Sequence, residues 1–124
     1  MPDPTIKRWS RRIVHPRLTF TTSDPVTTTE RLEEALRDKG FRTTPADEGF
    51  RAKRRPWLDW LAAAASTPCV LLVEPTSATA VVVDVEGRGN HPAPDRVAEA
   101  LTDAVRRLAA AGVEVRWDDW EAVP

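Results

Sequence analysis

The chain has no tyrosine, one cysteine, one methionine, two histidines and only 5 glycines in its 124 residues. Each scarcity excludes something. One thiol, Cys69, forms no internal disulfide and cannot build a cysteine-type zinc site. Flanked by Val70, Leu71, Leu72 and Val73, it reads as a small buried apolar residue. Long apolar runs are also missing. Uncharged stretches such as Leu61 to Val73 and Pro75 to Val83 fall well short of the ~20 residues that a spanning helix needs, so no membrane partner is expected. The opening residues MPDPTIKRWSRR have neither the apolar core nor the small-residue cleavage site of a secretory signal, and the expected setting is cytoplasmic. Both histidines, His15 and His91, adjoin proline in loop-like sequence, and no Ser/His/Asp or Cys/His arrangement accompanies them. Gly87-x-Gly89 lacks the third glycine of a dinucleotide fingerprint, and Pro92 and Pro94 remove donors from the helix start that follows. No catalytic residue, metal or cofactor is assigned.

What the chain has in quantity is charge and tryptophan. Charged residues make up 30% and hydrophobic residues 41%, with 5 Trp and 11 Pro. Eighteen Lys+Arg against nineteen Asp+Glu leave a net charge of -1, but this neutrality is a cancellation. Residues 1–20 and 51–60 are net positive, whereas 21–50, 61–91 and 92–124 are net negative. The length suits one domain, and a domain of this size buries about two-thirds of its unfolded surface without staples.

Residues 1–16 read as a basic, proline-interrupted N-terminal arm and 17–124 as a single α+β domain. Leu18 to Thr22 alternates and suits a half-buried strand. Thr27-x-x-Glu30 has the spacing of a capping box, Leu32, Ala35 and Leu36 follow as an apolar stripe, and Gly40 supplies a left-handed cap, which predicts a helix over 28–39. Residues 41–44 and 49–54 form a hairpin pattern, and Pro56 opens a short helix over Trp57–Ala65. Cys69–Glu74 and Thr79–Glu86 read as two strands joined by Pro75-Thr76-Ser77. Val97, Leu101, Ala104, Val105 and Leu108 recur at helical steps over 94–111, and residues 113–117 close with a strand. The expected architecture is therefore α+β, a two-layer sandwich. Its mostly antiparallel sheet has five to six strands, two to three helices lie mainly on one face, and the order is βαββ(α)ββαβ.

Three residue groups stand out. The first is cationic. Alternation along strands places Arg17, Arg42, Arg51, Lys53 and Arg55 on the face away from the helices, where they can hold an anionic partner. The bland alternative pairs them with Glu30, Glu33, Glu34 and Asp38 of the helix over 28–39. The second is aromatic. Trp57 and Trp60 lie at helical spacing, and Trp117 and Trp120 flank Asp118-Asp119 near the C-terminus, where a partner could cover them; Trp is enriched at interface hot spots. The third is acidic. Asp84 and Glu86, two apart on a strand, project on one face and can hold a divalent cation if a third ligand such as His91 or Glu74 approaches. That stretch, preceded by a helix and a hairpin and followed by a long helix, resembles the core of the PD-(D/E)xK nuclease-like superfamily over roughly residues 28–117. The family's acid-x-Lys would need Lys where Glu86 stands, and its upstream Asp falls near Cys69, so the resemblance implies a degenerate nuclease-like fold with an acidic site at Asp84/Glu86.

The expected function is that of a small intracellular, non-enzymatic binding or accessory domain acting through protein-protein contacts, in a hetero-complex or as a homodimer. The alternatives are a nucleic-acid-associated domain using the basic sheet face, or the degenerate nuclease-like fold.

Overall fold

A computed structural model describes residues 5–54, 68–89 and 93–123. Strand β1 (Pro16–Thr22) is followed by helix α1 (Pro25–Asp38), strands β2 (Arg42–Ala46) and β3 (Gly49–Arg54), and the long strands β4 (Cys69–Ser77) and β5 (Ala80–Arg88). Helix α2 (Ala93–Ala110) and the short strands β6 (Val115–Trp117) and β7 (Glu121–Ala122) complete the described elements. The helix expected over Trp57–Ala65 lies outside the described residues. The strands form one open antiparallel sheet in the order β2-β3-β4-β5-β1-β6, with β7 also pairing β1. The fold is α+β as expected. Its sheet has seven strands, not five to six, because Glu121–Ala122 adds a short pairing at Pro16 and Arg17 beyond the one that β6 makes at Phe20–Thr22.

Both helix ends follow from sequence chemistry. Helix α1 starts earlier than the Thr27 capping box implies. Asp24 is the N-cap, its carboxylate accepting from the Thr27 N–H at 3.1 Å and from the Thr27 hydroxyl at 2.6 Å. Pro25 then occupies the first turn, where its missing N–H costs nothing and its fixed φ is already helical. At the other end, the Gly40 N–H donates to Arg37 O and the Phe41 N–H to Leu36 O. The Gly112 N–H donates to Ala109 O and the Val113 N–H to Leu108 O in the same pattern. These are two Schellman caps, and the glycines sit at φ 89 and 77, which a side chain would resist. The shared Leu-x-x-x-Gly junction is thus a shared helix-stop device.

Burial alternates along the strands. Leu18, Phe20, Phe50, Ala52, Leu71, Val73, Val83 and Val85 join Leu32, Leu36, Val97, Leu101 and Ala104 of the helices in one core cluster. The two helices also touch each other, and Arg107 of α2 bridges to Asp38 and Glu34 of α1. Residues 5–13, read from the sequence as part of an arm, contribute Ile6 and Trp9 to that same cluster. The Ile6 N–H donates to the Thr102 hydroxyl of α2 at 3.0 Å.

The β4–β5 turn falls at Ala78 and Thr79, not at Pro75-Thr76-Ser77. Proline is tolerated inside β4 because β3 has already ended: its last partner there is Phe50 opposite Val73, so Pro75 faces only Val81 of β5. At the other end β5 runs through Gly87 and Arg88. A register shift places Leu71 opposite Val85 and Val70 opposite Gly87, leaving Glu86 as the extra residue of a bulge.

Candidate functional site

The face of the sheet turned from the core carries the second set of alternating residues. Cross-strand register puts Arg17 of β1 opposite Asp84 of β5, Asp84 opposite Leu72 of β4, Leu72 opposite Arg51 of β3, and Arg51 opposite Thr44 of β2. One row further, Arg42 stands opposite Lys53 and Lys53 opposite Val70. Arg17, Arg42, Arg51 and Lys53 therefore do share a surface, as alternation predicts. Arg55 lies outside the described residues.

Two of these cations are already engaged. The Arg17 guanidinium donates to both oxygens of Asp84, at 2.6 and 3.4 Å, and the half-buried pair lies across neighbouring strands. Hydrogen bonding to Asp84 holds the Arg17 pKa above its ordinary value. Arg51 donates to both oxygens of Glu86, at 2.8 and 3.4 Å, and its pKa is raised for the same reason. The cationic and acidic groups thus occupy one surface, where Arg17 and Arg51 are neutralised by Asp84 and Glu86. Three of the four acids of α1 pair elsewhere: Glu33 with Arg37, Glu34 with Arg31, and Asp38 with Arg107.

This pairing changes the reading of Asp84 and Glu86. Each carboxylate meets a guanidinium rather than a shared cation, and no group of metal ligands occurs among the described residues. His91 lies outside the described residues. The donor set present does not suit a divalent ion, since both carboxylates would have to release an arginine first.

Arg42 and Lys53 differ from their neighbours. Both are exposed, and neither has an ion-pair partner among the described residues. With Thr44, Arg51, Arg54 and Val70 they line a concavity of about 680 Å³ on the β2–β3–β4 part of the sheet. Val70 gives its lining an aliphatic patch, and Leu72, two residues further along β4, is half-buried on the same face of the sheet. A second groove, of about 580 Å³, lies between residues 5–8 and α2. Its charges cancel locally through Arg8–Asp95 at 3.8 Å, Lys39–Glu99 at 3.5 Å and Arg96–Glu99 at 3.1 Å.

The described tryptophans face inward. Trp120 is buried, packs edge-on against Trp9 with centroids 5.2 Å apart, and donates its indole N–H to Lys7 O at 2.7 Å. Trp117 is half-buried and lies edge-on to Phe20 at 6.3 Å. Trp120, expected to be exposed near the C-terminus unless a partner covers it, is covered by the N-terminal segment, which satisfies both its apolar rings and its donor. Trp57 and Trp60 lie outside the described residues. Sequence reasoning missed Ile6 and Trp9, whose three-residue spacing was the available signal. It also missed Val70 and Leu72 as residues of this face, because a continuous apolar run does not reveal which residues face the core.

No family model matches the chain, and no curated protein is significantly similar to it. No described helix is long and apolar enough to cross a membrane.

Proposed function

We propose that the protein is a small non-enzymatic binding domain that acts through protein-protein contacts, and that the open face of β2, β3 and β4 is its contact surface. The observation that carries this reading is the combination of half-buried Val70 and Leu72 on this face with two cations beside them, Arg42 and Lys53, that have no ion-pair partner among the described residues. Apolar patch plus charged rim is the chemistry of a recognition surface. A catalytic reading has less support, since the carboxylates that would serve it are bound by Arg17 and Arg51. The nucleic-acid reading shares the cations, but two of the four described ones are already paired. The described tryptophans also pack on the chain itself, so they offer no stacking platform. An intracellular setting belongs to the same reading, since the only cysteine is a buried thiol.

Light scattering across a dilution series, together with affinity capture from cell extract, tests it. The expected result is either a concentration-dependent dimer or a captured protein that Leu72→Glu releases without unfolding the domain. A strict monomer that captures nothing refutes it.

A further inference from the structure

The sheet elsewhere obeys a simple rule, in that its charged cross-strand neighbours have opposite signs. Arg17 stands opposite both Asp84 of β5 and Glu121 of β7. Arg42 and Lys53 break the rule. They are direct partners on β2 and β3, so their Cα atoms are about 5 Å apart, and both are cations. Like charges directly opposite each other destabilise a strand pair. No carboxylate among the described residues relieves them, although the chain carries nineteen Asp+Glu. Departures of this kind from an otherwise consistent pattern are expected at functional sites.

We infer that Arg42 and Lys53, with the Thr44 hydroxyl beside them, form a recognition site for the acidic side chains of a partner polypeptide, and that Glu86 acts as an internal stand-in for that ligand by holding Arg51. The inference rests on the binding-domain reading above and names the partner's chemistry. A carboxylate arriving between Arg42 and Lys53 removes their repulsion and gains charge-assisted hydrogen bonds. Arg51 lies two residues from Lys53 on the same face, in the same concavity, and its pair with Glu86 is exposed. Exposed pairs exchange at little cost, so a second ligand carboxylate can replace Glu86 on Arg51.

The surroundings favour an acidic peptide over a phosphodiester chain. Cationic Arg51 and Lys53 each stand beside an aliphatic neighbour, Leu72 and Val70 of β4, and an extended peptide with an acid at every second residue turns all its carboxylates to one face, toward the cations. Glu74, Asp84 and Glu86 lie on the same face and interrupt the positive surface. A continuous phosphate backbone would have to pass them, whereas a peptide can place its own charges selectively.

The test uses the full chain and fluorescence anisotropy with a short labelled peptide alternating Glu and Val. A peptide alternating Lys and Val and a single-stranded oligonucleotide of the same charge as the acidic peptide are the comparisons. The acidic peptide is expected to bind, more weakly as salt rises from about 50 to 200 mM. Arg42→Ala and Lys53→Ala should each weaken it about tenfold. Glu86→Gln should tighten it several-fold, a gain of function that damage to the fold would not produce. Lys53→Glu should abolish binding while melting no lower than the parent, because it turns a like-charged pair into an opposite one. Unchanged affinity in Lys53→Glu and Glu86→Gln overturns the inference, as does tighter binding of the oligonucleotide than of the acidic peptide. If the peptide fails these tests while Leu72→Glu still releases a partner or dissolves a dimer, the anion site falls and the binding-domain reading stands. If nothing binds and the chain is a monomer that captures nothing, both fall.

Discussion

Replacing Trp120 separates a structural tryptophan from an interface one. The residue is buried at 7% exposure, its edge meets Trp9 at 2% exposure, and its indole N–H donates to Lys7 O at 2.7 Å. Truncation to Ala removes a large core side chain, a loss of about 3–5 kcal/mol. Against a typical domain stability of about 5–15 kcal/mol, that is a large fraction. Trp120→Phe keeps much of the apolar area but leaves the Lys7 carbonyl without its donor, which costs about 1–3 kcal/mol where the group stays shielded. The aromatic pair adds about 0.5–1.5 kcal/mol beyond area, so the Trp9→Ala and Trp120→Ala losses should be non-additive by about that amount. Urea unfolding followed by far-UV circular dichroism measures all three, with linear extrapolation of each variant to water. A loss below about 1 kcal/mol for Trp120→Ala, or strict additivity with Trp9→Ala, would refute the claim that residues 5–13 and the C-terminal strand close over one another. An interface tryptophan would give that opposite pattern, with an unchanged isolated domain and a lost partner.

Three further outcomes follow from local geometry. Gly49→Ala should destabilise by about 2 kcal/mol or more, since an added Cβ would lie 1.9 Å from Val73 O and 2.7 Å from Glu74 Cα, both backbone atoms; thermal melting reads it. Hydrogen bonds from Thr27 hold the Asp24 carboxyl below its usual 3.8, so its contribution is present above the unfolded pKa and lost as pH falls through the lower folded value. Asp24→Asn should keep the cap while flattening the acid limb of the stability curve, and an unchanged limb would contradict the assignment. Burial pushes the Cys69 thiol up to about 12, so a thiol reagent at neutral pH should label it only after unfolding; rapid labelling of the native chain would contradict its place in the core.

What the sequence revealed was mostly local. Leu36-x-x-x-Gly40-Phe41 and Leu108-x-x-x-Gly112-Val113 announce their caps because the bonds that define a Schellman stop span only a few residues. The α2 stripe and the alternation of Arg51 and Lys53 are legible for the same reason. The start of α1 was misplaced because Asp24 and Thr27 are both good caps and only Pro25 decides between them. Pro75 reads as a turn until it is known where β3 ends. The fates of Arg17 and Trp120 were hidden altogether. Arg17 meets Asp84 across 67 positions and Trp120 meets Lys7 across 113, and no window of sequence contains such a pairing. The candidate face was therefore legible as a set of cations, but not as a set of which some are paired within the described residues and some are not.

That difference between paired cations and cations without an ion-pair partner among the described residues is the centre of the account, and a heteronuclear NMR titration with the alternating Glu/Val peptide tests it most directly. Perturbed amides should cluster at Arg42, Thr44, Arg51, Lys53, Val70 and Leu72, with Arg17 and Asp84 unmoved because their half-buried pair stays closed. Shifts confined to the groove between residues 5–8 and α2, or no shifts at all, would contradict it.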